Sequence, residues 1–443
     1  MASSCELTDT LWTATSRISS LINGTQPVYR LPPEILVEVF GWYKLGSAKR
    51  NKWFTLVRFT SVSRTWRSTI LSFPPLWSVA YLSGNLPPET IRMLLQKSGA
   101  YPLDVIVPPT GLSTPKFNRY SHALDASAHT PRIRRLRLYR EAGGDDMKHL
   151  TRIFSSAAPN LTHLELLGFR SEDEVIPFPN LFGLVFPKLR VLKVAGVGAW
   201  PEIVGANLTH ITIHVSPNPR LLNNCIPYSP NLKVLKICGV CDPEGPRIGA
   251  RQIITLPPGT CLSIQDSREC PRVLTLFALP WDGHIKIRLS MNSQPNMPLF
   301  YYVLPLEISL LQNLRTLTRL HIKAHFDARI ARVALELKCF RLDQLAFEAN
   351  IRYPFEGPVG FRQDASPVVG LLDGLHQLAL EGVEELRMEG IVGRFSPRGD
   401  ELPIFLKRMP ALTRLITTDG NEETLRSALD GLGCQAVVVR MEE

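Results

Sequence analysis

The sequence predicts an α/β protein, with a small helical module at the N-terminus followed by a long irregular repeat region around a curved parallel sheet. Three observations carry this. Residues 31 to 77 place large apolar side chains at helical spacing between two proline pairs. From residue 131 onward a Leu-x-x-Leu-x-Leu pattern recurs. Its first three starts, at 133, 161 and 189, lie 28 residues apart. The chain is therefore read as a tail with one weak helix (1–28), a helical module (29–80), a linker helix and first strand (81–130), and a repeat domain (131–443).

In the tail, Leu7, Leu11, Ile18, Leu21 and Ile22 fall roughly on one side of a helix that Asn23-Gly24 would end. The module opens on Leu31-Pro32-Pro33-Glu34. Proline has φ preset and no amide hydrogen to lose there, and Glu34 suits the positive end of the helix dipole. The first helix is expected from Ile35 to about Trp42, with Ile35, Leu36, Val39 and Phe40 on one face. After an insertion containing Lys44, Lys49, Arg50 and Lys52, a second helix is expected through Leu56, Phe59, Val62, Ser63 and Trp66, with Arg58, Arg64 and Arg67 mostly off its apolar stripe. Pro74-Pro75 stops any helix, and Leu76-Trp77 is a final apolar anchor.

The order Leu-Pro-x-Glu-Ile-Leu, Val-Phe, then Val-Ser-Arg-x-Trp-Arg and Leu-Trp resembles the F-box, and the closing SFPPLWS is similar to the form common in fungal F-box proteins. The resemblance covers residues 31 to 77 only. It implies that these helices dock on a Skp-type adaptor, and through it on a cullin ubiquitin ligase. The adaptor-facing residues would be Pro32, Ile35, Leu36, Val39, Phe40, Val62, Ser63 and Trp66. The stretch from Lys44 to Phe54 is longer than the minimal family pattern. Without the resemblance, the same residues read as a helical cap on the following domain.

After Trp77, Pro87-Pro88-Glu89 starts a helix through Ile91, Leu94 and Leu95 that stops near Gly99, and Tyr101 to Val107 reads as a strand. A similar Pro-Leu-Asp strand opens the repeat domain of fungal F-box proteins, which Pro102-Leu103-Asp104 resembles. Several repeats follow a proline: Pro131-Arg132-Ile133, Pro159-Asn160-Leu161, Pro187-Lys188-Leu189, Pro230-Asn231-Leu232 and Pro410-Ala411-Leu412. The 28-residue period is that of leucine-rich repeats. Further copies are expected at Leu208, Leu232, Leu317, Leu342, Val383 and Leu412, with residues 261–264 and 284–289 supplying strands in the long gap after Leu232. Short helices such as Met147 to Ala157 and Leu402 to Arg408 fit between strands. The asparagine that usually follows in such repeats is missing, so irregular turns are expected. Units of this kind cannot bury an apolar face alone and stack into a solenoid.

If the leucines of each unit point inward, the third and fifth positions point to solvent. Those positions hold Arg135, Arg137, His163, Glu165, Val191, Lys193, His210, Thr212, Val234, Lys236, Arg319, His321, Glu385, Arg387 and Arg414, among which basic residues outnumber acidic ones. Arg135, Arg137, Lys193, Lys236, Arg319, His321 and Arg387 are accordingly read as a target-binding face for an acidic or phosphorylated segment. Lys and Arg at exposed positions of a basic protein also serve solubility, and that plainer reading stands beside it.

Composition excludes several classes. Hydrophobic content of 44% with 20% charged residues describes a folded protein. The sequence holds no apolar run long enough for a membrane span, and MASSCELTDT has no signal-peptide layout, so an intracellular protein is expected, in cytoplasm or nucleus. The charge of +10 permits an acidic partner, but no Lys/Arg run interleaved with aromatics supports nucleic-acid binding. Sequons at Asn23, Asn160 and Asn207 carry no meaning without secretion. Cys225, Cys238, Cys241, Cys261 and Cys270 are read as small buried hydrophobes. Cys238-x-x-Cys241, and His210 and His214 beside Cys238, lack the four-ligand set of a structural zinc site, so no metal or cofactor is expected. No phosphate loop, nucleophile elbow or zinc-protease motif is present, so the chain is not read as an enzyme. The resulting expectation is a substrate-recognition subunit of an SCF-type (Skp-cullin-F-box) ubiquitin ligase. Its rival is an interaction scaffold of leucine-rich repeats without a ligase.

Overall fold

The structure is a computed structural model, and it describes residues 14–15, 27, 31–46, 52–82, 87–107, 129–139, 157–167, 186–195, 207–214, 226–239, 253–266, 270–291, 303–305, 308–327, 332–354, 375, 378–390, 401–417 and 422–440. The tail helix, apart from two helical residues at 14–15, the inter-strand helix from Met147, and Cys225 and Cys241 fall outside them. The chain divides into two compact units, the first formed by residues 1–161 with 179–183, the second by 162–178 with 184–443. The whole is mixed α/β with mostly parallel strands.

In unit 1 the sequence's start signal holds. Helix α1 runs Pro33–Gly46, and the Ile35 and Leu36 amides donate to the Pro32 carbonyl at 3.0 and 3.1 Å. The expected second helix is two: α2, Lys52–Phe59, and α3, Arg64–Ser72. Ser63 breaks them apart. Its backbone is extended, at φ −157° and ψ 166°, and its hydroxyl accepts from the Trp66 amide at 3.1 Å, which is an N-cap. The periodicity runs on through Val62, but α2 stops at Phe59, a three-residue turn follows, and Ser63 starts α3 as its cap. The expected loop from Lys44 to Phe54 is also shorter, because α1 continues to Gly46 and α2 begins at Lys52.

These helices pack around Leu36, Phe40, Leu56, Ile70 and Leu76, all buried. Phe40 lies 5.4 Å from the Phe59 ring and 5.0 Å, edge-on, from Trp66. Trp77 is buried with its indole Nε1 donating to the Ile70 carbonyl at 2.7 Å, so the last anchor is satisfied as well as packed. Strands β1 (Val79–Tyr81), β2 (Leu103–Val107) and β3 (Ile133–Tyr139) then pair in parallel, in that order, with helix α4 (Pro88–Lys97) between the first two. Arg132, entering β3, donates to the Leu95 carbonyl and the Ser98 hydroxyl, tying the end of α4 to the strand.

Unit 2 carries β4 (His163–Leu167), β5 (Val191–Ala195), β6 (His210–His214), β7 (Val234–Cys238), β8 (Ile254–Thr255), β9 (Cys261–Gln265), β10 (Phe277–Ala278), β11 (His284–Ser290), β12 (Arg319–Asp327), β13 (Arg332–Arg341), β14 (Gln344–Pro354), β15 (Glu385–Glu389), β16 (Arg414–Thr417) and β17 (Val437–Arg440). Within the unit the main order is β4-β5-β6-β7-β9-β11-β14-β13-β12-β15-β16-β17, and β8 pairs with β10 separately. Short helices α5 (Cys270–Leu274), α6 (Glu401–Leu406) and α7 (Glu422–Asp430) lie between strands, α6 near the segment expected from Leu402.

The repeat signal has a simple local cause. In Thr130-Pro131-Arg132-Ile133, Ala158-Pro159-Asn160-Leu161, Phe186-Pro187-Lys188-Leu189, Ser229-Pro230-Asn231-Leu232 and Met409-Pro410-Ala411-Leu412, the fourth amide bonds the first carbonyl at the reversal into each strand. Proline sits at the position where its fixed φ suits a turn. The following leucine then drops into the core. Asn160 and Asn207 donate side-chain hydrogen bonds to the Pro131 and Pro187 carbonyls at 2.9 and 3.3 Å, linking successive turns. A further signature went unread in the sequence: a threonine just before the strand at Thr209, Thr260, Thr318 and Thr413. Each hydroxyl donates to a backbone carbonyl of the neighbouring strand or its flank, at the entry side for Arg190, Leu232 and Glu384 and at the far end of the antiparallel β13 for Phe340.

One expectation fails. The sheet is not parallel throughout, because β13 is antiparallel to both β12 and β14. Leu342, expected to begin a repeat, instead lies in the two-residue turn Leu342-Asp343, with φ of +44° and +68°. Positive φ at both central residues is the reversal that suits a tight hairpin. A connection so short cannot make the crossover that parallel strands need.

Candidate functional site

The residues predicted to face an adaptor separate into two sets within unit 1. Leu36 and Phe40 are each 1% exposed and form the core of the helical module. Ser63 caps α3, and Trp66 is half-buried on Phe40 and Phe59, 5.6 Å from the latter. Pro32, Ile35, Val39 and Val62 are exposed. On α1, Ile35 and Val39 continue into Trp42, which is 74% exposed, at the i, i+4, i+7 spacing of one helical stripe. Tyr43 beside it is exposed and rests edge-on against Phe59 at 5.3 Å. A single helix thus carries two apolar faces, one packed and one open. Trp42 and Tyr43 were legible as large apolar residues at the helix end, but not as part of the open face.

In unit 2, β5, β6, β9 and β11 alternate as the pattern requires, whereas β4, β7, β15 and β16 carry consecutive buried residues. Leu164, Leu192, Ile211, Leu235, Leu262, Ile285 and Leu386 are buried. The outward positions then align from strand to strand in register. One row runs Glu165, Lys193, Thr212, Lys236, Ser263, Lys286, Glu348, Lys338, His321, Arg387. Five of the seven residues predicted to bind a target belong to unit 2, and four of these, Lys193, Lys236, His321 and Arg387, stand in this row. Arg319 lies two residues before His321 on the same strand. Arg135 and Arg137 stand on β3 of unit 1, partly exposed.

Most of these cations are compensated. Lys193 pairs with Glu165 at 3.2 Å, Lys286 with Glu348, and Lys338 with Glu336 at 2.7 Å. Arg319 pairs with Asp343 at 2.7 Å and lies over the Phe340 ring at 5.0 Å. Glu389, which is buried, collects His321 at 3.1 Å, Lys323 at 2.7 Å and Arg387. Burial pushes the Glu389 carboxyl up, but the Lys323 hydrogen bond and the charges of His321 and Arg387 outweigh it and hold it below the ordinary range. Burial holds His321 below its usual value against the pull of Glu389. Glu336 stands two residues from Lys338 on β13, while Glu348 and Glu389 escaped the sequence reading because the pairing of β14 with β11 and of β15 with β12 brings them in from 62 and 68 positions away.

His214 and Cys238 are neighbours across β6 and β7, and burial lowers the imidazole and raises the thiol. Among the described residues no group of three or more His, Cys, Asp or Glu is placed to hold a metal ion, and no helix is long and apolar enough to cross a membrane. No protein-family model matches the chain, and no curated protein matches it.

Proposed function

We propose that this chain is the substrate-recognition subunit of an SCF-type ubiquitin ligase. Unit 1 would dock a Skp-type adaptor through the open face of α1, with the cullin ligase joined through it. Unit 2, read as an irregular leucine-rich-repeat solenoid, would hold a target protein, acidic or phosphorylated, against its outward strand face. The mechanism is proximity. A target held beside a ligase presents its lysines at high effective concentration while this chain makes and breaks no bond.

The supporting observation is the stripe of Ile35, Val39 and Trp42. Residues 31–77 carry the F-box-like pattern, and their first helix leaves three large apolar side chains in water after its core is satisfied. An apolar face of that kind marks an interaction site.

The test is capture of purified Skp adaptor by the intact chain and by an Ile35→Asp, Val39→Asp variant. Capture by the intact chain, lost in a variant with an unchanged melting temperature, is the expected result. Two apolar anchors are each worth about 1.5–3 kcal/mol, so binding should weaken by roughly a hundredfold or more. Acidic changes at Leu36 or Phe40 would not serve, because they would unfold the module. If the well-folded intact chain captures no adaptor, the ligase reading fails and an interaction scaffold replaces it.

A further inference from the structure

At the centre of the outward row in unit 2, three consecutive strands place Thr212, Lys236 and Ser263 side by side. All three are partly exposed, and among the described residues none of the three side chains has a hydrogen bond or ion pair. This sets them apart from their surroundings. The threonines at strand entries, Thr209, Thr260, Thr318 and Thr413, spend their hydroxyls on backbone carbonyls. The lysines two strands away on either side, Lys193 and Lys286, spend their charge on Glu165 and Glu348. At the next level along the strands stand His210, His214, Val234, Cys238, Cys261 and Gln265, none of them a carboxylate. The nearest carboxylate in sequence register, Asp266, follows Gln265 at the exposed strand end.

We infer that Thr212, Lys236 and Ser263 form a binding site for a phosphate monoester. Neighbouring strands are about 4.8 Å apart, so the two hydroxyls lie roughly 10 Å from each other with the ammonium between them. That span exceeds the roughly 8 Å that one phosphate can bridge with two hydrogen bonds of about 2.8 Å, so a tetrahedral phosphate beside Lys236 accepts from the ammonium and from the hydroxyl of one neighbour, Thr212 or Ser263. The choice of residues favours phosphate over carboxylate. A planar carboxylate is matched by the guanidinium fork, whereas this row offers a point charge with a rotatable hydroxyl donor on either side, which suits the divergent oxygens of a tetrahedron. Burial first, and then the charges of Lys236 and Lys193, hold His214 below its ordinary value. The site lies wholly in unit 2 and does not depend on adaptor docking, so either can fail alone.

The test is thermal unfolding of the full chain in inorganic phosphate against chloride at equal ionic strength and pH, for the intact chain, Lys236→Gln, Ser263→Ala and Lys338→Gln. Phosphate should raise the melting temperature of the intact chain and of Lys338→Gln, whose lysine is ion-paired on the same face. In Lys236→Gln the apparent affinity should fall about tenfold, and in Ser263→Ala by less. Melting in chloride reports whether each variant folds, and Ser263→Ala carries the test if Lys236→Gln does not. Competition by a Gly-phosphoserine-Gly peptide assigns the site to a phosphorylated chain, and competition by glycerol phosphate alone assigns it to a small ester. Equal phosphate effects in the intact chain and in both site variants, or no effect beyond chloride, overturn the inference.

Discussion

Phe40 and Ile35 lie on one helix and have opposite tasks. Removing the Phe40 ring empties the centre of an aromatic cluster, so Phe40→Ala should cost about 3–5 kcal/mol in urea unfolding, while Ile35→Asp should cost little. Similar large losses at both positions would contradict the two-faced helix. Leu342 is a second residue whose chemistry and conformation disagree, since a leucine holds φ of +44° in a hairpin turn with its side chain in water. Leu342→Asn should raise stability by about 1 kcal/mol, because asparagine tolerates that region. A drop in melting temperature would refute this. The same residue shows why the hairpin was not legible in the sequence. A turn written Leu-Asp lacks the Asn-Gly or Asp-Gly signal, and Leu342 sits nearly a repeat after Leu317, so the period claimed it.

At the scale of the element, the turn-strand unit is where sequence and structure agree best. Proline presets the turn, the leucine after it fills the core, and alternation sets the strand faces, all within a few residues of one another. Sequence periodicity reads such local causes well. It missed the turn between Phe59 and Ser63, after which Ser63 caps a new helix despite continuous helical spacing, and it missed the threonines at strand entry. Thr260 makes the clearest test of these, being buried with its hydroxyl on the Leu232 carbonyl at 2.9 Å. Thr260→Val keeps the shape and orphans that carbonyl, so unfolding stability should fall by about 1–3 kcal/mol. Gly390 ends β15 at φ +66°, where an added Cβ would collide with the Ala324 carbonyl oxygen, and Gly390→Ala should be at least as costly.

For the molecule as a whole, acid should weaken unit 2. His214, His284 and His321 are all held below their ordinary value, each first by burial. The folded state therefore binds fewer protons than the unfolded chain, and stability is lost as pH falls from about 6.5. Glu389, also held low, adds a loss as pH falls from the ordinary carboxyl range through its folded value. The urea midpoint should drop between pH 7.5 and 5.5, and the drop should shrink in His321→Gln. A midpoint flat across that range would refute the assignment. The charge balance behind this was only half legible. The basic side of the sheet face could be counted from the repeats, but of its carboxylates Glu336 and Glu348 stand on the hairpin strands that the repeats concealed.

The reversed strand β13 also bears on the order in which unit 2 can assemble. In a purely parallel array each new strand docks on its predecessor, and folding can spread one repeat at a time. Here β11 is flanked by β14 and β12 by β15, so the chain passes beyond its own growing edge and walks back through two hairpins. Strands β15 to β17 have no edge to join until β12 is held by β13 and β14. Growth from the N-terminal side should pause at β11, and the last three strands should gain hydrogen-exchange protection only after the hairpins close. The meander thus gates completion of the array, and a polypeptide emerging from the ribosome reaches that gate at Pro354, with β15 still to be made.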